Sequence, residues 1–435
     1  MGASPADRPA LPWILAGLCL TQITAWGVLY YAFPVLSARI TAETGWSATA
    51  TTAAYSAALM LSALIGIRVG KVLDRHGPRW IMTTGSLLGV LGVLVLAWSP
   101  SYGTFLVGWL IIGAAQAGTL YPPAFAAVTR WYGTRRVFAL TVITLVGGLA
   151  STVFAPTAEA LAGVLSWREV WVVLAVVLGV VTVPIHLWVL RRPWPQEAGS
   201  GPVRPEGGEE DVPRSTEGTA PAQDEPRNGT EDQAGWVPEE AYARGIMRSP
   251  AYLLMTVGLT LGSMAMFAAM INLVPMLVAR GVDSTTAAWI LGIGGAGQVL
   301  GRLFYWAMER WLSVRLRTTL IYGLVAAGSA AFALDQTHLA WLLTVAVLTG
   351  MGRGLSTLLK ATAVTDRWGP RAYGRLSGVF NAPVMLGIAL APVIGAGLAD
   401  LLASWQAAYV VLAVIGALGV GALHFSVPRP AKGTS

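Results

Sequence analysis

Read for polarity, the chain alternates long apolar runs with short polar breaks, each run near the roughly 20 residues a helix needs to cross a bilayer's hydrocarbon core. Six runs precede a polar middle, at about 12–36, 47–68, 79–98, 104–129, 138–163 and 169–190, and six follow it, at about 250–278, 285–306, 316–335, 339–363, 374–399 and 404–426. Apolar and polar residues do not alternate with period two, and the runs are too long for outer-membrane strands. The backbone must therefore satisfy its own hydrogen bonds as helices. The predicted class is an all-α integral membrane protein with twelve transmembrane helices.

The middle breaks this pattern. Residues 193–249 are rich in Gly, Pro, Glu and Asp and poor in large apolar side chains, so they cannot bury enough surface to fold. Three parts are expected: an N-terminal six-helix bundle over 1–190, a disordered cytoplasmic linker over 191–249, and a C-terminal six-helix bundle over 250–435. The bundles also echo each other. A shift of 236 residues lays "AVTRWYG" (127–133) on "AVTDRWG" (363–369) and Gly118 on Gly354, and a shift of 241 lays "PVLSAR" (34–39) on "PMLVAR" (275–280). Such identities at matching places are what two parallel repeats leave behind, so the bundles should be pseudo-symmetric about an axis along the membrane normal.

Composition agrees: 55% of residues are hydrophobic, 12% are charged and the mean hydropathy is +0.61, which excludes a soluble globule. Charge adds orientation. Arg39, Arg168 and Arg280 are the basic residues of the loops on one side, whereas "RWYGTRR" (130–136), "RR" (191–192), Arg315, Arg317, Arg367 and Arg371 crowd the other, so both termini are expected in the cytoplasm. The net charge of +7 is the footprint of this asymmetry and of contact with anionic lipids, and it requires no nucleic acid. Cys19 stands alone, so no internal disulfide can form. "MGASPADRPA" leads into a full-length span with no cleavage site, which argues against a removed signal peptide. The expected location is a cytoplasmic membrane of bacterial type, with lipids as neighbours and the monomer as the working unit.

Little here points to chemistry on a substrate. "GIGGAG" (292–297) fits a dinucleotide fingerprint but lies inside an apolar helix, where it and the Gly297–Gly301 pair serve small-residue helix packing. The four histidines lack ligand spacing, and no phosphate loop, nucleophile elbow or triad is present, so neither an enzyme, a cofactor nor a metal site is expected. Glu159 and Asp335 fall near helix ends, where solvation favours a structural role. Polar stripes inside the runs are more informative. Gln22, Trp26 and Tyr30 recur every four residues, Gln116 shares a face with Thr119, and Thr349, Arg353, Thr357 and Lys360 share another. A helix facing only lipid has no use for them, and a central arginine costs about 2.5–3.5 kcal/mol to insert unless it gains a partner or a wet cavity.

"GKVLDRHGPRW" (70–80), between the second and third runs, resembles the loop signature of the major facilitator superfamily, G-x-x-x-D-R-x-G-x-R-R, through Gly70, Asp74, Arg75, Gly77 and Arg79. The resemblance implies two six-helix bundles around a central cavity lined by helices one, four, seven and ten. It also implies that the motif gates the cytoplasmic face, with Gly70 permitting close helix contact and Gly77 a tight turn. Within the superfamily, "GQVLGRLFYW" (297–306) and "ITAWGVLYYAFPVL" (23–36) are similar to the monocarboxylate and oxalate–formate carriers, with Gln298 and Arg302 at their polar and basic positions in helix eight. The first and eleventh helices lack those carriers' lysines, Asn381 being the nearest polar residue in the latter, and position 298 lacks an acid. The expected function is transport of a small organic anion by alternating access. Arg353 and Arg302 would bind the anion, Gln22, Gln116 and Asn381 would hydrogen-bond it, Trp26 and Tyr30 would shape the pocket, and Gln298, Asn272 and Thr357 complete the candidate set. Export of a larger amphiphile and a sensor signalling through the linker are the alternatives.

Overall fold

Several transmembrane helices begin where the sequence supplies a cap. Ser47 accepts the Ala50 amide at 3.0 Å and Asp283 the Thr286 amide at 2.8 Å, while Ser101 and Ser166 form capping boxes with Thr104 and Glu169. The computed structural model describes residues 10–132, 135–194, 239–369 and 372–428. Among them are twelve helices long and apolar enough to cross a membrane: α1 (Leu11–Thr44), α2 (Ala48–Gly66), α3 (Pro78–Ala97), α4 (Tyr102–Tyr132), α5 (Phe138–Ala162), α6 (Trp167–Val189), α7 (Pro250–Ile271), α8 (Ser284–Trp311), α9 (Val314–Ala333), α10 (Leu339–Thr362), α11 (Arg375–Leu401) and α12 (Trp405–His424). The predicted spans are met one for one. Alternating passes leave both described ends on one face, the terminal face; the other is the distal face.

Small residues set the packing within each half, because lipid gives helices no hydrophobic drive to associate and close backbone approach must supply the contact. In the N-terminal half Gly85 meets Gly118, and Gly92 and Gly108 seat Ile112 and Leu96, so α3 and α4 lie flush. In the C-terminal half Gly350 and Gly354 of α10 lie against the backbone of Gly294 and Gln298 of α8, which is the packing role expected of "GIGGAG". The distal core of the first half is aromatic: Phe33 stacks on Tyr55 at 4.6 Å, and Trp109 stands edge-on to Tyr55 and Trp171.

The expected linker lies for the most part outside the described residues, at 195–238. Its last part departs from expectation, since Glu239–Met247 is helical. Tyr242, Ala243 and Ile246 give that short helix an apolar face packed on the C-terminal half, and the Tyr242 hydroxyl donates to the Trp368 carbonyl at 3.0 Å. A composition taken over the whole stretch hides these three residues.

The halves meet along α2–α11 and α5–α8. At the distal face Arg39 of α1 bonds Glu159 of α5 at 2.5 Å, the Ser284 hydroxyl of α8 donates to the same carboxylate, and Thr49 donates to Asp400 at 2.5 Å. Nearer mid-depth the Thr152 hydroxyl donates to the Gly292 carbonyl at 2.7 Å and the Val393 amide to Ser56 at 3.2 Å. From Ser56 towards the terminal face a cavity of ≈ 480 Å³ separates α2 from α11, lined by Met60, Leu61, Leu64, Leu110 and Leu390 among others. Glu159 corrects an expectation: it is 3% exposed rather than solvated, because Arg39 and the incoming end of α8 cover it.

Candidate functional site

Several helices lose regular geometry, and most of these breaks lie in the middle of the bundle. Gly27–Tyr31 of α1 forms a wide π turn, which Gly27 permits by leaving room for the Phe154 ring. The α4 helix interrupts at Leu120, whose backbone is extended, because Pro122 and Pro123 lack the two amide donors that would bond the carbonyls of the preceding turn. Irregular backbone survives at membrane depth only where protein groups or a cavity satisfy it. Here two glutamines do so reciprocally: Gln116 Nε2 of α4 donates to the Leu29 carbonyl in the π turn at 2.8 Å, and Gln22 Nε2 of α1 donates to the Thr119 carbonyl beside the α4 break at 2.7 Å. Asn272, at the end of α7, plays the same part through bonds to the Ala268 and Pro392 carbonyls at 2.9 and 3.2 Å. The amide donors of these three residues, expected to meet substrate, therefore hold the breaks that shape the site.

The π turn presents an aromatic wall. Trp26 stands 5.2 Å from Tyr30 and 4.9 Å from Tyr121, and Tyr31 lies 5.0 Å from Tyr30. Trp26 Nε1 and the Tyr30 hydroxyl are buried without a hydrogen-bond partner. Sequence periodicity finds Trp26 and Tyr30 but misses Tyr31 and Tyr121; the signal for Tyr121 is the Pro-Pro that follows it, since the missing amides interrupt the helix at Leu120 beside it.

Both candidate arginines belong to this region. Arg353 is 6% exposed; its Nε donates to Gln298 Oε1 at 3.0 Å, its Nη2 has no partner, and it lies within electrostatic reach of Tyr30 in the other half. Arg302, also buried, reaches across to the Thr144 carbonyl of α5 and to Tyr121 of α4, leaving its Nε unpartnered. The parallel register of α8 and α10, with Gly294 at Gly350, Gly301 at Met351 and Gln298 at Gly354, puts Arg302 and Arg353 on neighbouring turns of adjacent helices. They are close enough to repel each other, and no salt bridge among the described residues joins either to an acid. Thr357 is exposed with its hydroxyl bonded to the Arg353 carbonyl at 3.1 Å, and Asn381 is half-buried on α11.

Helices broken at mid-depth, a buried cationic pair and two repeats in contact at one face are the parts of a carrier. The family model described as Major Facilitator Superfamily matches residues 18–381 and 311–435. The chain belongs to the major facilitator superfamily. Members are multi-pass transporters of small molecules. Among its relatives, Monocarboxylate transporter 13 of Rattus norvegicus is 23% identical over 94% of this chain and 85% of its own length. An "MFS-type transporter" of Gibberella moniliformis is 29% identical, but over 21% of this chain and 22% of that protein. In fold the chain is similar to the crystal structure of a bacterial homologue of the human lysosomal transporter Spinster, in an inward-facing and occupied conformation, with a TM-score of 0.71, 14% identity, and 98% and 97% of the two chains covered.

The superfamily's loop motif follows α2, whose helix continues to His76. Gly77 adopts φ +77° against the Trp194 ring, and Arg79 Nε donates to the Leu187 carbonyl at 2.9 Å, fastening α3 to a second π turn in α6. Arg75 is exposed. Nothing lies within 4 Å of the Cβ position of Gly70, so the close helix contact expected there is not made in this conformation: the facing helices stand apart. The Asp74 side chain lies outside the described residues.

Proposed function

We propose that the protein carries a small organic anion across a cytoplasmic membrane of bacterial type, with both termini inside, by rocking residues 1–190 against residues 250–435 about a central site. The observation that carries this reading is the Arg302–Arg353 pair: two guanidiniums that cannot deprotonate, buried within reach of each other and unmatched by a described acid, with free N–H groups. An anion is the partner such a pair lacks, and paired donors in a low-dielectric pocket bind carboxylates strongly. Gln298 holds Arg353 in place, and Trp26 and Tyr30 form the facing wall. Glycines 350 and 354 let α10 close on the α8 backbone, which sets Arg353 beside Gln298. The motif around Asp74 would close the terminal face when Gly70 and its neighbours meet the other half. The monomer is the working unit in this reading, and residues 191–249 act as a tether.

Purified protein screened by thermal shift against carboxylates, sugars, amino acids and lipophilic cations tests the class. Carboxylates are expected to stabilise the parent, Arg353→Gln is expected to fold as a monodisperse protein while losing most of that effect, and Arg353→Lys to regain part of it. Undiminished stabilisation of Arg353→Gln by carboxylates refutes the reading. The aromatic wall favours a second reading, export of a larger amphiphilic compound; stabilisation by lipophilic cations and not by carboxylates would select it.

A further inference from the structure

The cavity of ≈ 480 Å³ between α2 and α11 shares no wall residue with the proposed anion site. Ala57, Met60, Leu61 and Leu64 line it from α2, and Leu390 and Val393 from α11. Ser56 brings the one hydroxyl, and its oxygen already accepts the Val393 amide at 3.2 Å. Water settles in a space only where it finds about 2–4 polar partners, so hydrocarbon is the chemistry this wall matches. The space is open at its rim, where Leu64 is 59% exposed, and a chain can enter from the surrounding bilayer.

Positive charge stands where such a chain would end. The lining residues of α2 fall every three or four positions, and the same helix face continues to Arg68 and Lys71, both exposed. On α11 the face of Val393 and Leu390 continues through the exposed Leu386 and Val379 to Arg375, whose Glu240 partner is 3.9 Å away and itself 76% exposed. Nothing lies within 4 Å of the Cβ position of Gly70 or Gly378, so the cleft stays open towards the terminal face. From Ser56 to Arg68 is about 18 Å at 1.5 Å per residue, close to the roughly 15 Å of hydrocarbon in one leaflet. The cleft therefore runs from the middle of the bilayer to a basic cluster at one interface.

We propose that an anionic phospholipid of the leaflet at the terminal face occupies this cleft, with an acyl chain between α2 and α11 and its phosphate at Arg68, Lys71 and Arg375. Basic side chains at a membrane surface attract such headgroups. The inference stands apart from the anion reading and holds whatever the carrier moves. A chain held there sits between the two halves, so its binding favours the arrangement in which they stand apart.

The test is native mass spectrometry of the purified, delipidated full-length protein, titrated with phosphatidylglycerol or with phosphatidylcholine of identical chains. The first lipid bound is expected to be phosphatidylglycerol by preference. Arg68→Gln/Lys71→Gln should lower that affinity about 5-fold per charge, the equivalent of ~1 kcal/mol per basic residue, and leave phosphatidylcholine unchanged. Arg310→Gln/Arg315→Gln removes the same charge from exposed terminal-face positions on α8 and α9 and should change neither. Ala57→Leu, which fills the cleft, should weaken both lipids several-fold at a constant ratio, and Leu390→Phe is the second filling variant should Ala57→Leu fail to fold. Equal binding of the two lipids, an equal loss in the Arg310→Gln/Arg315→Gln control, or parental binding in the filling variants overturns the site.

Discussion

Gly354→Ala probes whether the α8–α10 seam is what aims Arg353. The new methyl would overlap the Gln298 carbonyl oxygen and lie 2.9 Å from the Gln298 carbonyl carbon and 3.1 Å from its Cα, where ordinary contact needs 3.4–4 Å. All three atoms are backbone, so relief requires the helices to part by about 1 Å, the shortfall of the 2.0 Å oxygen contact from the 3.0 Å limit. That motion stretches the 3.0 Å bond from Arg353 to Gln298, because the two residues flank the same contact. Overpacking of this kind costs about 1–3 kcal/mol, whereas alanine in place of a helical glycine otherwise gains up to about 1 kcal/mol. Gly421→Ala in α12 is the control, since nothing lies within 4 Å of its Cβ position. Thermal unfolding in detergent should place Gly421→Ala at or above the parent and Gly354→Ala several degrees below it, with carboxylate binding weakened in the latter alone. If the two variants melt together, the seam is not tight and its proposed hold on Arg353 fails.

Gln116→Leu strips the π turn of its donor, leaving the Leu29 carbonyl buried and unpaired; a loss of about 1–3 kcal/mol is expected, and an unchanged unfolding midpoint would contradict it. Glu159→Gln should loosen the distal face, so that Ala287→Cys, buried and three residues after the Ser284 that bonds Glu159, reacts faster with an impermeant maleimide in a Cys19→Ser background; equal rates would remove Glu159 from the closure. Hydrogen bonds from Thr286 hold the Asp283 carboxyl, outside the spans, below its ordinary value of 3.8. Its folded pKa is thus depressed, and its capping of α8 is complete above that value and lost as pH falls through the folded one. Parent and Asp283→Ala midpoints should therefore differ at pH 6 and converge at strongly acidic pH, and a constant difference would show that ionisation plays no part.

Local signals carried the fold. Run length, caps such as Ser47 and Asp283, and the glycine spacing of "GIGGAG" each depend on neighbours in sequence, and each was readable there. The site was readable only in part, because what a polar residue does depends on a partner far along the chain. Gln116 and Gln22 look like cavity-facing polar groups until the Leu29 and Thr119 carbonyls, 87 and 97 residues away, are seen to occupy their amides. Glu159 looks like a solvated helix-end acid until Arg39, 120 residues distant, covers it. The π turn itself has no local mark beyond Gly27, whose meaning comes from Phe154 in another helix. Tyr121 could have been found by asking which side chain a Pro-Pro break at mid-membrane would expose.

The distribution of cross-half bonds bears on how the carrier turns over. Among the described residues those at the distal face are few: Arg39 to Glu159 stays within one half, so the partners that must separate are Ser284 from Glu159 and Arg39, and Thr49 from Asp400. Asp400 is exposed and Thr49 half-buried, and a pair of that kind is worth about 0–1 kcal/mol, whereas the hydroxyl bond from Ser284 ends on the buried Glu159 carboxylate and is worth about 1.5–3 kcal/mol. Their rupture is within reach of an ordinary conformational equilibrium, in which a minor state holds roughly 0.1–10% of molecules. The bonds at mid-depth, Thr152 to Gly292 and Ser56 to Val393, lie where a rocking motion displaces atoms least and can persist as the pivot. Arg302 differs from both sets, because its hold on Thr144 and Tyr121 crosses the interface through the proposed anion site itself. An anion that draws the Arg302 guanidinium towards Arg353 would weaken that strap while relieving the repulsion between the two cations. Substrate binding and release of the interface then become one event, and an anion that favours the released arrangement by 10- to 100-fold, about 1.4–2.8 kcal/mol, is enough to move the equilibrium.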